Sequence, residues 1–382
     1  SAWAAKRIFW VLWPILPATH RHGLPGRTSQ SMEAGVPGSR KTFIIAEIGV
    51  NHNGSLPMAR ELIDIAAEIG ADAVKFQTFD AAKLVRPEAE KAEYQKLQTG
   101  DGDQKGMLEA LQLSESEHVE LADYCSDKGI EFMSTPFDLD AADFLKSIGV
   151  QRMKLPSGDI DNFPMLRKMA GLDLPIIMST GMADMEEVRS AKNCIEAEWG
   201  RLGLMQGRED RLVILHCTSN YPTAPANVNL QAMVSMGREL GCAIGYSDHT
   251  CGTAIAVGAV ALGAVVIEKH ITLDKNLPGP DHAASLDPSE FKSLVEQIRA
   301  VEAAAGDGVK APQDSELAVR ALVRRSISVA RDLSAGATIG ADDLIMLRPA
   351  NGISPTRIDE VIGAKTKRAI EAGSLLSWDD LD

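Results

Sequence analysis

The chain has 382 residues, of which 45% are hydrophobic and 24% are charged. This composition excludes a disordered, collagen-like or membrane-bundle protein. Single cores stop growing at about 250–300 residues, so we expect one large unit with a smaller one, or two comparable units. The formal net charge of −14 argues against a nucleic-acid surface.

Residues 1–41 differ in composition from the rest, because they carry six basic residues against one acidic residue. Their apolar run at 8–16 is far shorter than the roughly 20 residues that span a bilayer, which excludes a transmembrane helix. Lys6 and Arg7 precede the run as in a secretory signal, but no small-residue cleavage site follows. We interpret 1–41 as a disordered extension or leader, with Met32 as an alternative start. A targeting role is the other interpretation.

The cysteines indicate the redox compartment. The chain has five of them, an odd number, and no CxxC pair. This pattern predicts neither a disulfide framework nor a zinc ribbon. It favours a reducing, cytoplasmic environment.

From residue 43 onward, short apolar runs alternate with amphipathic stretches. Eight runs are predicted strands, at 43–48, 73–76, 130–134, 152–155, 175–179, 212–216, 243–246 and 264–268. Eight strand–helix units within 42–306 match the count and length of a (β/α)8 barrel of the α/β class. The competing fold, an open doubly wound sheet, leaves two or three strands unaccounted for.

Helix starts in this region are locally consistent. Ser114 and Glu117 form a predicted capping box, and Asp287 with Glu290 opens the last helix of the barrel. The clearest helical period lies over 56–70, where apolar residues recur at i, i+4, i+7, i+8 and i+11: Met58, Leu62, Ile65, Ala66 and Ile69.

After residue 306 the pattern changes. A polar linker is predicted over 307–323. It is followed over 324–382 by a small β-rich module without a long helix, whose strand-like pieces are 327–330, 337–339, 345–348 and 369–370. A module of this size has a marginal core of its own.

In such a barrel the chemistry lies at the carboxyl ends of the strands. Each of the eight predicted strands ends in polar side chains there, and residues two apart, such as Lys75 and Gln77, share a face. A hydroxyl that caps the next helix explains any single one of them but not all eight together. Lysines, hydroxyls and helix N-termini suit a small dianion such as a phosphate, and the candidates are Lys75, Lys154, Thr135, Ser157, Ser179 and Ser247.

His249 and His270 end adjacent predicted strands and are candidate ligands of one divalent metal. Two imidazoles leave positions open for water and a substrate oxygen, as a Lewis acid requires. The alternative is a pair of hydrogen-bonded rim histidines, since no recognised metal-ligand spacing is present.

The motifs at the strand ends resemble those of the sialic acid (N-acetylneuraminate) synthase family. They run in family order from about residue 43 to the C-terminus, and Arg348-Pro349 in the small module also matches. The matching segments are EIGVNHNG at 47–54, KFQT at 75–78, STPF at 134–137, SGD at 157–159, STGM at 179–182, SDHT at 247–250 and EKHIT at 268–272.

The resemblance implies a reaction and an architecture. Family members condense phosphoenolpyruvate with an N-acetylated amino sugar, usually N-acetylmannosamine, to give a nine-carbon sialic acid and phosphate. The implied fold is a TIM barrel followed by an antifreeze-like (SAF) β-clip module. The implied assembly is a domain-swapped homodimer, with no nucleic acid or membrane as partner.

The resemblance also implies roles for single residues. Phosphoenolpyruvate contacts are expected from Lys75, Gln77, Thr135, Lys154, Ser157, Ser179 and Ser247. His249 and His270 are expected to bind manganese or magnesium. Sugar contacts are expected from Glu47, Asp159, Tyr221, Asp281 and, from the other subunit, Arg348. Either Glu47 or Glu268 is expected to act as the base that handles the proton of water.

Two positions depart from the family pattern and bear on the sugar. Asp159 stands where many bacterial members have Glu, and Ser219 stands where they have Asn. Legionaminic acid synthases share the scaffold and use a 2,4-diacetamido-6-deoxy sugar, which is the alternative substrate. Two further hypotheses are a metal-dependent aldolase or 3-deoxy sugar acid synthase on the same barrel, and a sugar-binding protein with a degenerate barrel.

Overall fold

A computed structural model describes residues 41–86, 89–91, 93–100, 102–204 and 211–382. The predicted N-terminal extension lies outside the described residues, apart from Lys41. The chain forms two compact units that divide between residues 302 and 303. Among the described residues, no helix is both long enough and apolar enough to cross a bilayer.

The first unit is built on eight parallel strands in the order β3-β2-β1-β8-β7-β6-β5-β4. β3 and β4, the two ends of this order, contact each other, as in a closed barrel. All eight predicted strands are confirmed, with ends that move by one or two residues. They are β1 (Phe43–Gly49), β2 (Ala73–Thr78), β3 (Glu131–Pro136), β4 (Met153–Leu155), β5 (Ile176–Ser179), β6 (Leu212–Cys217), β7 (Ala243–Asp248) and β8 (Val266–His270).

Helices connect these strands. They are α1 (Leu56–Ile69), α2 (Ala81–Leu84), α3 (Glu93–Thr99), α4 (Gln104–Glu109), α5 (Glu115–Lys128), α6 (Leu139–Ser147), α7 (Phe163–Gly171), α8 (Met185–Arg201), α9 (Leu230–Leu240), α10 (Ala254–Ala261) and α11 (Pro288–Ala305). The described residues between β2 and β3 form four helices, α2 to α5, and only α5 is among the predicted elements. The predicted capping box at Ser114 and Glu117 is confirmed at the start of α5.

The period-2 geometry of the strands divides the core into two layers. One set of side chains fills the barrel interior, where Ile45, Met133, Ile177 and Leu215 pack together. The other set packs against the surrounding helices. On α1 the buried residues are Ala59, Leu62, Ile63 and Ala66, whereas the predicted Met58, Ile65 and Ile69 are only partly buried. The buried face is therefore turned slightly from the predicted one.

The second unit has its own apolar core, formed by Ile327, Val329, Leu333, Ile339, Ile353, Val361, Ile370, Leu376 and Leu381. β9 (Ser326–Val329) and β10 (Leu344–Leu347) pair antiparallel. The predicted pieces at 337–339 and 369–370 form only single bridges, Thr338 with Lys365 and Leu333 with Ile370. The predicted linker contains a helix, α12 (Asp314–Val323), and a short α13 (Ile358–Val361) follows β10.

Candidate active site

The carboxyl ends of the barrel strands surround a cavity of about 250 Å³. Its lining includes every predicted site residue except Asp159 and Arg348. These lining residues are Glu47, Lys75, Gln77, Thr135, Lys154, Ser157, Ser179, Tyr221, Ser247, His249, Glu268, His270 and Asp281. The expected convergence of polar strand ends is therefore present in the fold.

Four buried charges alternate in sign across the floor of this cavity. Lys75 Nζ lies 2.7 Å from Glu47 Oε2 and 3.8 Å from Glu268 Oε2. Lys154 Nζ lies 3.3 Å from Glu268 Oε1. Because a buried charge is costly unless it is paired, the alternation explains how four of them are tolerated together. It also leaves two ammonium groups facing the space in which an anion would bind.

The two carboxyl groups differ in their readiness to bind a proton. Burial raises the pKa of Glu47 to about 7, because the charge of Glu268 adds to the effect of burial and Lys75 offsets only part of it. Burial also acts to raise the pKa of Glu268, but Lys154 and Lys75 outweigh it and hold that pKa at about 2. Glu268 is therefore ionised at neutral pH, while Glu47 can exchange a proton there.

Hydroxyl groups surround the two lysines. Lys75 Nζ donates to Thr135 Oγ1 at 3.0 Å, and Ser247 Oγ donates to Glu268 Oε1 at 2.9 Å. Ser179 Oγ is buried without a hydrogen-bond partner among the described residues. An unsatisfied buried hydroxyl costs free energy, so this one suits a ligand that would satisfy it.

Gly181 and Cys217 belong to this site, although we had assigned them no role. The backbone N–H of Gly181 donates to Ser157 Oγ at 2.8 Å, and Cys217 Sγ lies 3.2 Å from the same oxygen. A Cβ atom at Gly181 would lie 2.2 Å from Ser219 Oγ and 2.8 Å from Cys217 Sγ. Glycine is therefore required there by close packing, a signal that no local sequence pattern carries.

The two candidate metal ligands lie together. The ring centroids of His249 and His270 are 5.7 Å apart, and the Tyr221 ring lies 4.0 Å from that of His249. His249 Nδ1 donates to the carbonyl of Thr218 at 2.7 Å, which leaves Nε2 as the nitrogen with a lone pair. His270 Nδ1 is buried and has no hydrogen-bond partner among the described residues.

Both rings are in the protonation state that a metal requires. Burial lowers the pKa of His249 to about 4 and holds that of His270 well below its usual value. Neutral imidazoles with available nitrogens fit the ligands of a divalent cation. No group of three or more His, Cys, Asp or Glu side chains in the described part of the chain is arranged to hold a metal.

Asp281 reaches the same cavity from the loop after β8. It is buried, and its Oδ2 lies 3.9 Å from His270 Nδ1. Burial raises the pKa of this carboxyl to about 6, and Lys75 opposes the effect. Asp281 is thus placed beside the candidate metal ligands, as a sugar contact would require.

Two predicted sugar contacts do not line the cavity. Asp159 lies in a short 3₁₀ turn after β4, and its carboxylate accepts a hydrogen bond from Asn162 Nδ2 at 2.9 Å. The side chain thus serves its own turn in this structure, and its role as a sugar contact stays a prediction. Arg348 belongs to the second unit, where it is exposed and precedes a cis proline, Pro349. Its predicted role stays a prediction.

One side of the cavity is apolar and was not predicted. We call it the apolar wall, and it consists of Val50, Met107, Leu108, Leu111 and Phe137. Met107 and Leu108 come from α4 in the long connection between β2 and β3. The run of short helices there has weak periodicity, so no sequence pattern indicates that it borders the site.

The chain matches two known sequence families. The NeuB family matches residues 62–310, and the SAF domain matches residues 324–382. The chain is 51% identical to the N,N'-diacetyllegionaminic acid synthase of Legionella pneumophila over 345 residues, which cover 90% of this chain and 96% of that protein. It is 45% identical over 325 residues to the Campylobacter jejuni protein of the same name, with coverage of 85% and 95%.

A solved structure is similar as well. The crystal structure of an N-acetylneuraminic acid synthetase from Leptospira borgpetersenii, in complex with citrate, has a TM-score of 0.63 and 32% identity. The match covers 73% of this chain and 90% of that one. The family predicted from the strand-end motifs is therefore confirmed. The chain belongs to the NeuB family, and it is a carbon–carbon bond-forming enzyme of the sialic acid synthase type with an SAF domain.

Proposed function

We propose that this enzyme condenses phosphoenolpyruvate with a 2,4-diacetamido-6-deoxy sugar and water to form a legionaminic acid and phosphate. The observation that carries the choice of sugar is the 51% identity to a diacetyllegionaminic acid synthase over 96% of that protein's length. The similar N-acetylneuraminic acid synthetase has 32% identity. N-Acetylmannosamine, the sugar that the sequence motifs placed first, is therefore the second candidate.

The buried lysines support an anionic first substrate. Lys75 and Lys154 would face the phosphate and carboxylate groups of phosphoenolpyruvate. Hydroxyl groups of Thr135, Ser157 and Ser179 and the side-chain amide of Gln77 would donate further hydrogen bonds. Charge-assisted hydrogen bonds of this kind are the strong ones in a cavity shielded from water. If Lys154 turned from Glu268 toward the substrate, the hydrogen bond from Ser247 would still hold the carboxylate of Glu268 in place.

The neutral pair His249 and His270 would hold the divalent cation, manganese or magnesium. When bound, such an ion supplies Lewis-acid polarisation of the sugar aldehyde. Tyr221 and Asp281 border the histidines and would orient the open-chain sugar against them.

The reaction then needs a proton acceptor. The methylene carbon of phosphoenolpyruvate attacks the aldehyde carbon, which leaves the carbon bearing the phosphate ester electron-deficient. Water adds to that carbon and loses one proton, which balances the proton that the former aldehyde oxygen gains as it becomes a hydroxyl. The bond between that carbon and the phosphate-ester oxygen then breaks, phosphate leaves with the remaining hydroxyl proton, and a keto acid remains. We assign the proton to Glu47, because the pKa of Glu268, held at about 2 by Lys154 and Lys75, makes that carboxylate a weak proton acceptor, whereas the pKa of Glu47 is about 7.

The apolar wall supports the sugar assignment. A 2,4-diacetamido-6-deoxy sugar carries a C6 methyl and a second acetamido methyl, where N-acetylmannosamine carries hydroxyls. Each methyl placed against such a surface contributes roughly 0.8 kcal/mol, and a pocket of this type discriminates by about 10- to 200-fold.

The test is phosphate release from phosphoenolpyruvate with each sugar, with manganese and with a chelator. We expect kcat/KM to be at least about tenfold higher for the diacetamido sugar, and activity to be lost with the chelator. A higher value for N-acetylmannosamine would make the enzyme an N-acetylneuraminate synthase. Turnover of pyruvate without phosphate release would identify an aldolase, and sugar binding without turnover would favour the degenerate barrel.

We also propose a homodimer in which Arg348 serves the partner's site. The support is that α12 buries none of its residues and exposes the apolar side chains of Leu317, Val319 and Leu322. Apolar helix faces of this kind are typical of surfaces covered by another chain.

The free cysteines favour a cytoplasmic setting for the reaction.

A further inference from the structure

The segment Asn51–Gly54, which follows β1, contains a motif whose role the proposed reaction does not explain. Asn51 is 1% exposed. Its Nδ2 donates to the carbonyl of Ile271 at 2.9 Å and to Ser285 Oγ at 2.8 Å. Both partners lie in the loop at residues 271–286, which follows β8 and which we call the carrier loop because it carries Asp281.

A second connection runs through Asn53. His282, in the carrier loop, is fully buried and donates through Nε2 to Asn53 Oδ1 at 3.1 Å, while its Nδ1 lies 2.7 Å from Thr272 Oγ1. The fit is tight, because a Cβ atom at Gly279 would lie 2.6 Å from the His282 ring and 3.0 Å from Asn53 Oδ1. The two asparagines therefore hold the loop at both of its ends.

These bonds reach Asp281 through the backbone. Ser285 Oγ, which accepts from Asn51, donates to the carbonyl of Asp281 at 2.7 Å. The carboxylate of Asp281 stays in the cavity, 3.9 Å from His270 Nδ1. The backbone that carries this carboxylate is thus held by neighbours that do not line the cavity themselves.

We propose that Asn51 and Asn53 are positioning residues, which fix the carrier loop so that Asp281 faces the sugar beside His270. The sugar contact rests on the proposed function, whereas the hold on the loop rests only on the hydrogen bonds. Positioning of this kind matters because a displacement of about 1 Å in a substrate-orienting group can cost about 100-fold in rate.

Asn53 offers a matched pair of substitutions. Its backbone has φ = +50°, a conformation that glycine adopts freely. Asn53→Gly therefore keeps the turn and removes the acceptor, and Asn53→Asp keeps an acceptor for His282. We expect Asn53→Gly to raise KM for the sugar about tenfold with KM for phosphoenolpyruvate within twofold of wild type, and Asn53→Asp to restore most of the loss.

The control is Thr78→Val, which removes another buried hydrogen bond of the barrel, the one between Thr78 Oγ1 and Ser134 Oγ at 2.7 Å. Its kinetics should match wild type. If Thr78→Val raises KM for the sugar as much as Asn53→Gly does, the effect is general loosening and the proposal fails.

A double-mutant cycle tests whether Asn53 acts through Asp281. In the Asp281→Asn background, Asn53→Gly should raise KM for the sugar by less than a further twofold or so, because the carboxylate that Asn53 positions has already been changed. If the effect of the double variant equals the product of the two single effects, the two residues act independently and the proposal fails.

Hydrogen exchange tests whether Asn53 holds the carrier loop, independently of which reaction the enzyme catalyses. Amides of residues 271–286 should exchange at least about tenfold faster in Asn53→Gly and in Ser285→Ala than in wild type or Thr78→Val. Unchanged exchange would overturn the hold on the loop even in an active synthase. Faster exchange in a protein that turns over no amino sugar would uphold the hold on the loop and reject the proposed function.

Discussion

Glu47 and Glu268 show how the surroundings of a residue decide its chemistry. Both are buried glutamates in one cavity and both lie near Lys75. Lys154 and Lys75, with a hydrogen bond from Ser247, outweigh burial and hold the pKa of Glu268 at about 2, whereas burial and the charge of Glu268 raise the pKa of Glu47 to about 7. Sequence motifs alone left the choice of base open between these two carboxyl groups.

The pH dependence of the rate follows from the raised pKa of Glu47. A base acts in its ionised form, so kcat/KM should rise with pH through about 7 and then level off. In Glu47→Gln the rise of kcat/KM with pH should disappear, and kcat should fall by at least about 100-fold. An unchanged acidic limb in that variant would show that another group takes the proton.

Gly181 gives a second prediction at this scale. In Gly181→Ala the new methyl would meet Ser219 Oγ at 2.2 Å and Ser157 Oγ at 2.9 Å, so both hydroxyls must move, and that of Ser157 belongs to the proposed anion site. We expect KM for phosphoenolpyruvate to rise by about tenfold or more. Gly171→Ala, whose Cβ meets its nearest neighbour at 3.8 Å, is the matched control and should leave KM unchanged. Equal effects of the two variants would contradict the packing argument.

At the scale of elements, β7 and β8 carry much of the site. Ser247, His249, Glu268 and His270 line the cavity, while the intervening Asp248 and Lys269 point the other way because side chains alternate along a strand. Lys269 Nζ lies 2.8 Å from Asp248 Oδ2, and both side chains are completely buried. This ion pair links the two strands directly behind the candidate metal ligands.

Breaking that pair should be costly. Lys269→Met leaves the Asp248 charge buried and unpaired, so we expect a loss of about 3–5 kcal/mol in the free energy of unfolding, measured with urea. Lys269→Met combined with Asp248→Asn should lose less than the single variant, because no unpaired charge remains. Lys83→Met, at the exposed pair of Lys83 with Asp140, is the control and should change nothing measurable. A double variant less stable than Lys269→Met would contradict this account.

At the scale of the whole molecule, the question is where Arg348 acts. It belongs to the unit after residue 302, and the residues that line the cavity belong to the unit before it. In the proposed homodimer Arg348 serves the partner's site, so residues of both chains form each site. Such an arrangement can be recognised by mixing two inactive variants.

Co-expression of Glu47→Gln with Arg348→Ala provides the measurement. If Arg348 acts in the partner, half of the dimers in a random mixture carry one intact site, so roughly a quarter of wild-type activity should return. Each variant alone should stay inactive, and a mixture of separately purified homodimers that do not exchange should too. Absence of activity in co-expressed heterodimers would place Arg348 in the site of its own chain.

Local sequence determined most of the barrel. The eight strands were predictable because each is a short apolar run between turn signals, and the caps at Ser114 and Asp287 depend on residues three positions apart. The helices α2 to α4 and the apolar wall were not predictable, since their short segments have little periodicity and are ordered by contacts with distant residues. For the same reason the sequence pattern predicts a linker where α12 lies.

The sequence by itself determined the family, the fold and the set of polar residues at the strand ends, because those features repeat at fixed local spacings. Only the tertiary structure decided which carboxyl group binds a proton near neutral pH, why Gly181 has no side chain, and how Asn51 and Asn53 hold the loop of Asp281. Each of these depends on atoms that are close in space and far apart in the chain. Burial, charge pairing and close packing are properties of that proximity, and no spacing along the sequence encodes them.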